Sequence, residues 1–184
     1  VDAQGRMRPD ALAEALHACT GPTLVAAQAG NVSTGAVDPL DEIAEIAHRH
    51  GAWLHVDGAF GLWAAATASL RGLLHGVEKA DSWATDAHKW LSVPYDSGIA
   101  IVARPEAQRA AFLKRAAYLI PAPAEERDPH DYTPESSRRG RVFPLYVALL
   151  SLGRRGVAEL VERNCASARR IAERLRAGGV RVLN

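Results

Sequence analysis

Short apolar runs, bounded by glycine, proline and polar residues, recur along the chain and predict the strands of one sheet. The runs PTLVAAQ and AWLHVD are the clearest, because they are too short for an ordinary helix and are followed by small or polar residues. By this pattern we predict strands at residues 22–28, 52–57, 81–87 and 98–103, and the start of a further strand at 180–184.

Between these runs, apolar residues return at helical spacing. The segment DPLDEIAEIAHRHG shows this best: Asp38 is placed to cap a helix, Pro39 suits its first turn and Gly51 can end it. By the same criteria we predict helices at residues 8–18, 38–51, 68–77, 104–117, 143–153 and 156–179, and a long loop at 120–141.

Strands that alternate with helices imply an α/β fold, with a mostly parallel sheet and flanking helices. Ligands in such folds collect at the carboxyl ends of the strands. Polar residues that follow the predicted strands are therefore the first candidates for a functional site. The helix at 156–179 is long and uninterrupted, and we interpret it as a connector that leads toward a second domain.

Charge is unevenly distributed along the chain, although the formal net charge is only +1. Residues 1–103 hold 6 Lys and Arg against 12 Asp and Glu, and residues 104–184 hold 16 against 9. In the basic part most arginines alternate with Glu and Ala on a predicted helix, which is typical of a solvated face. We therefore do not expect nucleic-acid binding.

Neither membrane insertion nor secretion is expected. The longest apolar run, FPLYVALLSLG, is too short to cross a bilayer, and the opening VDAQGRMRPD is polar. Cys19 and Cys165 lie far apart and outside any CxxC pattern, so we expect both to be small buried apolar residues. These features favour the cytoplasm.

Three polar clusters fall at predicted strand ends: GNVSTG, HVDGAFG and TDAHKW. Strand alternation places His55 and Asp57 on one face. Asp86 and His88 share the same i, i+2 spacing, and Lys89 follows at once in what we predict to be a short polar loop.

These clusters admit three interpretations. The two His/Asp pairs could ligate zinc or manganese, although this leaves Lys89 without a task. They could be structural, with Asp57 capping a turn, His88 satisfying a buried carbonyl and Lys89 solvated. They could also hold pyridoxal phosphate, a cofactor that needs a lysine to bind it as a Schiff base and an acid against its pyridine nitrogen. Lys89 and Asp57 would supply that pair.

The motif HVDGAFG, followed 32 residues after Asp57 by the lysine of DAHKWL, resembles the group II pyridoxal-phosphate-dependent decarboxylases. This family includes the aromatic-L-amino-acid, histidine and glutamate decarboxylases. QAGNVSTGAVDPLDEIAEIA and TPESSRRGRVFPLYVALLSLGRRGVAEL look most like its bacterial members, and the resemblance covers essentially the whole chain. It implies a fold-type I enzyme that decarboxylates a small-molecule L-amino acid to the amine and CO2.

The resemblance also implies roles for particular residues. Lys89 would form the Schiff base and later take part in proton transfer, and Asp57 would pair with the pyridinium nitrogen. The other cofactor contacts it implies are Ala59 under the ring, His88 beside the lysine, Asp86 where many relatives carry Asn, and Ser82 at the phosphate. Tyr132, in the loop at 120–141, is the candidate proton donor to the substrate's Cα.

At the level of the whole molecule, the resemblance implies a homodimer with active sites between its subunits. Family members are considerably longer, so we expect this chain to be a fragment. Residues 1–152 would be the C-terminal part of the cofactor-binding large domain, and residues 153–184 the connector helix and the start of the small domain.

Other functions stay open at this point. They are a different reaction of the same cofactor (aldehyde synthase, carbon–carbon lyase or aminotransferase), a metal-dependent enzyme, and an inactive scaffold subunit. The presence of both Lys89 and Asp57 argues against the inactive subunit. The aromatic residues near the motifs, Phe60, Trp63 and Trp90, would either favour an aromatic substrate or pack in the core.

Overall fold

Four strands form a single sheet in the order β1-β2-β3-β4, as the computed structural model shows. It describes residues 1–113 and 126–184. The strands are β1 Leu24–Gln28, β2 Trp53–Asp57, β3 Ser82–Asp86 and β4 Gly98–Val102. β1 pairs with β2 and β2 with β3 in parallel, within a sheet that is mixed overall. The predicted α/β fold with a mostly parallel sheet is confirmed.

The predicted final strand is wrong. Residues 180–184 form no strand, and Val180 and Leu183 are exposed. An apolar run becomes a strand only when a sheet edge is available to satisfy its backbone groups. Here the segment is held by the hydrogen bond from the Val180 N–H to the Leu175 carbonyl at 2.9 Å and by side-chain bonds such as the one from Asn184 Nδ2 to the carbonyl of Thr34 at 2.7 Å.

The helices are α1 Pro9–His17, α2 Leu40–Arg49, α3 Ala87–Trp90, α4 Pro105–Phe112 and α5 Val142–Ala177. The predicted helix at 68–77 is instead part of a series of short 3-10 turns, at Leu62–Ala66, Arg71–Leu74 and Val77–Lys79. Residues 114–117 of the predicted fourth helix, and residues 120–125 of the predicted loop, lie outside the described residues. The rest of that loop contains one 3-10 turn, Pro129–Tyr132.

Gly153 interrupts α5 where the sequence predicts two separate helices. Its φ of 60° and ψ of −179° are not helical, and glycine adopts this conformation without a Cβ clash. The break coincides with the predicted boundary between residues 152 and 153, although the division of the chain into domains stays a prediction.

Asp38 does not cap α2, contrary to the prediction. Pro39 occupies the N-cap position, and the buried carboxylate of Asp38 accepts the backbone N–H groups of Met7 and Gln28, each at 2.7 Å. It thereby ties the N-terminal segment to the end of β1. Gly51 ends the helix as predicted, with a φ of 65°.

The core lies on one face of the sheet. Burial alternates along β1 and β2, so that Val25, Ala27, Leu54 and Val56 are buried against α2 while the residues between them are more exposed. A second cluster, around Val157 of α5, packs under α3 and the residues that follow it. His55 and Asp57, on β2, lie on the opposite face of the sheet.

Cys19 and Cys165 are not the buried residues that the sequence led us to expect. Cys19 is exposed because it lies just beyond the end of α1, and Cys165 is half-buried on α5. In the described parts of the chain, no helix is long and apolar enough to cross a membrane.

Contacts divide the described chain into two units, Val1–Ile101 with Arg141–Asn184, and Val102–Gly140. The sheet, α1 to α3 and α5 belong to the first unit apart from the last residue of β4. The second contains α4 and the 3-10 turn at Pro129–Tyr132.

Candidate active site

Asp57 is the last residue of β2 and stands on the face of the sheet opposite the core. Its neighbours across the sheet are Gln28 of β1 and Ala84 of β3. His55 lies two residues earlier on the same face, as predicted from strand alternation, and both are more exposed than Val56 between them. The carboxylate therefore stands at the carboxyl end of a parallel strand, where ligands of α/β proteins bind.

The loop that follows Asp57 is fixed by backbone contacts on both sides. Gly58 donates its N–H to the carbonyl of Ala84 at 2.8 Å, and its own carbonyl accepts the buried Thr85 hydroxyl at 2.9 Å. Ala59 donates its N–H to Asp57 Oδ1 at 3.0 Å, which orients the carboxylate. Ala59 itself is half-buried, and its predicted place under a cofactor ring stays a prediction.

Gly61 marks a close approach between the loops that follow β1 and β2. Its N–H donates to the carbonyl of Ala29 at 2.8 Å, and a Cβ at Gly61 would lie 2.3 Å from that same oxygen. Only glycine fits such a backbone contact. The loop that carries Ala59 and Phe60 is thus held against the end of β1.

Lys89 lies in α3, a four-residue helix, and not in the predicted loop. The helix starts directly after Asp86, at the end of β3, and two contacts fix this junction. Ala87 donates its N–H to the carbonyl of Ser97 at 2.9 Å, and Trp63 Nε1 donates to the carbonyl of Asp86 at 3.0 Å. Trp63 therefore serves the framework of the site as a packing residue with one hydrogen bond.

The amine of Lys89 has two partners that come from different strand ends. Its Nζ lies 2.8 Å from Asp86 Oδ2 and 3.9 Å from the centre of the Phe60 ring. Asp86 closes β3, and Phe60 comes three residues after Asp57. The structure thus brings the two motifs together, with the lysine of one lying over the loop of the other.

His88 is almost buried beside the lysine and is held on three sides. Its Nδ1 accepts the backbone N–H of Ser97 at 3.0 Å, so in the neutral ring the proton is on Nε2, which lies 3.6 Å from Asp86 Oδ2. The Ser97 carbonyl is 3.1 Å from the same Nδ1, so a protonated ring can donate there instead. The ring of Tyr95 covers His88, with 4.2 Å between ring centres.

Ser82 is buried and already has two side-chain partners. Trp53 Nε1 donates to its Oγ at 2.8 Å, and His55 Nδ1 lies 2.8 Å from the same oxygen. The hydroxyl therefore links β3 to β2 at the His55–Ser82 pair, which is two positions before the Asp57–Ala84 pair. Its predicted contact with a phosphate stays a prediction.

Tyr132 belongs to the second unit, at the end of the 3-10 turn Pro129–Tyr132. Its carbonyl accepts Gln108 Nε2 at 3.0 Å, and the guanidinium of Arg127 lies 4.3 Å from the centre of its ring. The neighbouring Asp131 pairs with Arg109 at 2.8 Å. The role of Tyr132 as a proton donor stays a prediction.

Sequence reasoning missed the parts played by Tyr95, Ser97 and Phe60. Tyr95 and Ser97 carry no local signal, because they reach His88 only after the turn between α3 and β4 has folded back. Phe60 stood out as an aromatic residue beside the motif, but nothing in the sequence shows that its ring meets Lys89.

In the described residues, no group of three or more His, Cys, Asp and Glu side chains is arranged to hold a metal ion. The donor set suits a different ligand. Asp57 offers an exposed carboxylate on the open face, and Lys89 offers an amine that comes from the adjacent strand end and lies over the Asp57 loop. An acid and an amine so placed fit the two polar ends of a pyridoxal ring.

The family model of the pyridoxal-dependent decarboxylase conserved domain matches residues 1–180. The chain belongs to this family. It is 36% identical to the acidic amino acid decarboxylase of Bos taurus over 187 residues, which is 95% of this chain and 35% of that protein. The group resemblance read from the HVD and HKW motifs is thereby confirmed.

Solved structures give the same answer for the fold. The mouse CSAD structure has a TM-score of 0.84 and 28% identity, over 96% of this chain and 37% of that one. A 4-hydroxyphenylacetaldehyde synthase from Rhodiola rosea has a TM-score of 0.82 and 28% identity, over 95% of this chain and 36% of that one. The chain spans about a third of the length of the relatives that it matches.

Proposed function

We propose that this chain carries the cofactor lysine, Lys89, of a pyridoxal-phosphate-dependent amino-acid decarboxylase. One observation carries the proposal: the amine of Lys89 lies over the ring of Phe60, in the loop that follows Asp57, so that acid and amine come from the ends of two adjacent parallel strands. Membership of the pyridoxal-dependent decarboxylase family supports it.

Lys89 and Asp57 would contact opposite ends of the cofactor ring. Lys89 would hold the cofactor covalently through Nζ, and Asp57 would hold a proton at the pyridine nitrogen. When bound, pyridoxal phosphate supplies an electron sink for the pair left on the substrate's Cα when CO2 departs. Asp57 strengthens that sink, because an anion next to the nitrogen favours its protonated form.

His88 and Asp86 would set the polar surroundings of the lysine. Asp86 Oδ2 pairs with Lys89 Nζ at 2.8 Å and lies 3.6 Å from His88 Nε2, so its carboxylate would orient the lysine. The Ser97 N–H and the Tyr95 ring keep the His88 ring in one orientation. Ala59 would lie under the cofactor, and Ser82 would act near its phosphate.

We further propose that Tyr132 returns the proton to Cα, and that the enzyme works as a homodimer in the cytoplasm. The resemblance to the family supports the proton donor and the homodimer, and two cysteines outside any CxxC pattern favour the cytoplasm. Tyr132→Phe would lower the yield of amine per CO2 released if the tyrosine is the proton donor, and sedimentation of the protein would give its oligomeric state.

Borohydride trapping tests the role of Lys89. The chain is incubated with pyridoxal phosphate, reduced, digested and analysed by mass spectrometry. We expect a pyridoxyl group on Lys89 and none there in Lys89→Arg, with Lys79 as the internal comparison. An adduct spread equally over Lys79 and Lys89 would mean random modification and would refute a dedicated site.

Product analysis separates decarboxylation to the amine from the alternative aldehyde-synthase reaction. The chain is equally similar to mouse CSAD and to the Rhodiola rosea aldehyde synthase, at 28% identity each. Incubation with acidic, aromatic and diamino L-amino acids should release CO2 and amine in equal amounts. Aldehyde and ammonia in place of the amine would assign the protein to the second reaction.

A further inference from the structure

Between the two lysines in the described residues, Lys89 is the one with an aromatic ring against its amine. Nζ lies between the carboxylate of Asp86, at 2.8 Å, and the ring of Phe60, at 3.9 Å from its centre. Lys79 provides a comparison within the same unit: it pairs with Asp41 at 2.7 Å and Glu45 at 3.6 Å, with carboxylates only. Both amines are partly exposed, with 31% of the Lys89 side chain and 39% of the Lys79 side chain accessible.

The two partners of Lys89 act in different ways. Asp86 is three residues before Lys89, so their ion pair is local to the end of β3 and α3. Phe60 comes from the loop after β2, which the Gly61–Ala29 contact holds in place. The negative face of an aromatic ring attracts an ammonium group but has little attraction for a neutral amine. The ring therefore adds a contact from the Asp57 loop to the local ion pair that Asp86 makes.

We propose that Phe60 is a positioning residue for Lys89. Its ring and the carboxylate of Asp86 form a two-sided seat that holds the ammonium group above the loop opened by Asp57. The two contacts hold the amine at the place where the cofactor is proposed to bind. The role of this seat in catalysis rests on the function proposed above. The contacts of Phe60 and Asp86 with Lys89 do not depend on that function.

The test measures the reactivity of each lysine in the full chain without any cofactor. The protein is treated with trace acetic anhydride at about pH 8, so that an amine reacts only when it leaves the contacts that favour its ammonium form. Acetylation of Lys89 and of Lys79 is then quantified by mass spectrometry in the same digest.

Phe60→Leu should raise acetylation of Lys89 about 2- to 5-fold, which corresponds to a cation–π attraction of about 0.5–1 kcal/mol. Phe60→Tyr retains a ring face and should restore the rate of the parent protein. A ring-fluorinated phenylalanine at position 60, which keeps the shape but weakens the quadrupole, should give an intermediate rate. Lys79 should not change in any of these variants.

Two carboxylate variants calibrate the assay. Asp86→Asn should raise the reactivity of Lys89 only, and Asp41→Asn that of Lys79 only. If Asp86→Asn raises the Lys89 rate but neither Phe60→Leu nor the fluorinated ring does, the proposal is overturned. A rise at Lys79 and Lys89 together in Phe60→Leu, with no effect of the fluorinated ring, would show loosened structure and would also overturn it.

The outcome is independent of the proposed function. A failed borohydride trapping experiment would remove the cofactor role of Lys89 but leave the acetylation result intact. Conversely, trapping on Lys89 with no effect at Phe60 would keep the proposed function and discard the seat.

Discussion

Replacing Gly61 by alanine should destabilise the protein, because it forces apart the two loops that frame the candidate site. A Cβ at this position would meet the carbonyl oxygen of Ala29 at 2.3 Å and its carbon at 2.6 Å. Both are backbone atoms of a fully buried residue, so no flexible side chain can move away. Relief requires the loops to separate by roughly 1 Å, since ordinary carbon–oxygen contacts lie near 3.4 Å.

That separation gives the magnitude of the effect. The hydrogen bond from Gly61 N–H to the Ala29 carbonyl, now 2.8 Å, would be lost, and a buried carbonyl without a partner costs about 1–3 kcal/mol. Overpacking adds about 1–3 kcal/mol, and the lower entropy of alanine in the unfolded chain returns about 0.4–1 kcal/mol. We expect a net loss of about 2–4 kcal/mol in the free energy of unfolding.

Urea unfolding followed by circular dichroism measures this loss. Gly72→Ala is the matched control, because nothing lies within 4 Å of a Cβ at Gly72 and its φ is not positive. The control should unfold within about 0.5 kcal/mol of the parent. Equal midpoints for Gly61→Ala and Gly72→Ala, with unchanged slopes, would refute the claim that this backbone contact holds the site together.

Three further predictions follow from individual contacts. Asp38→Ala should lower the free energy of unfolding by about 2–4 kcal/mol, since two backbone N–H groups lose a charged acceptor, and a urea midpoint unchanged from the parent would contradict this. Thr85→Val should cost about 1–2 kcal/mol, because the Gly58 carbonyl loses its buried hydroxyl donor, and the same denaturation assay checks it. The hydrogen bond and charge of Lys79 lower the pKa of Asp41, and those of Asp41 raise the pKa of Lys79. The stability that this pair contributes is therefore lost as pH falls through the lowered Asp41 pKa, and it is lost again as pH rises through the raised Lys79 pKa. Asp41→Asn should remove both parts of this pH dependence, which midpoints of thermal unfolding measure.

The Asp57 and Lys89 motifs could be found in the sequence because each is local. The i, i+2 alternation of a strand and its polar end are written in consecutive residues, so HVD and HKW could be placed at strand ends without knowing the fold. The helical spacing of residues 38–51 likewise predicted α2 and its end at Gly51. Family resemblance then joined the two motifs into one hypothesis.

Other features were decided by the tertiary structure, because they depend on residues far apart in the chain. Asp38 matches the pattern of a helix cap, but in the folded chain its carboxylate accepts the backbone N–H groups of Met7 and Gln28 instead. Residues 180–184 have the composition of a strand but meet no sheet edge. Cys19 became exposed because α1 ends before it.

The same distinction holds within the candidate site. The sequence determined which residues are proposed for the chemistry, an acid at position 57 and an amine at position 89, since those identities follow from a local motif. Only the folded chain decided that Phe60 lies against the amine of Lys89 and that Ser97 and Tyr95 hold His88. The physical reason is that parallel strands bring their carboxyl ends together whatever the length of chain between them, and the packing of the intervening loops selects the partners.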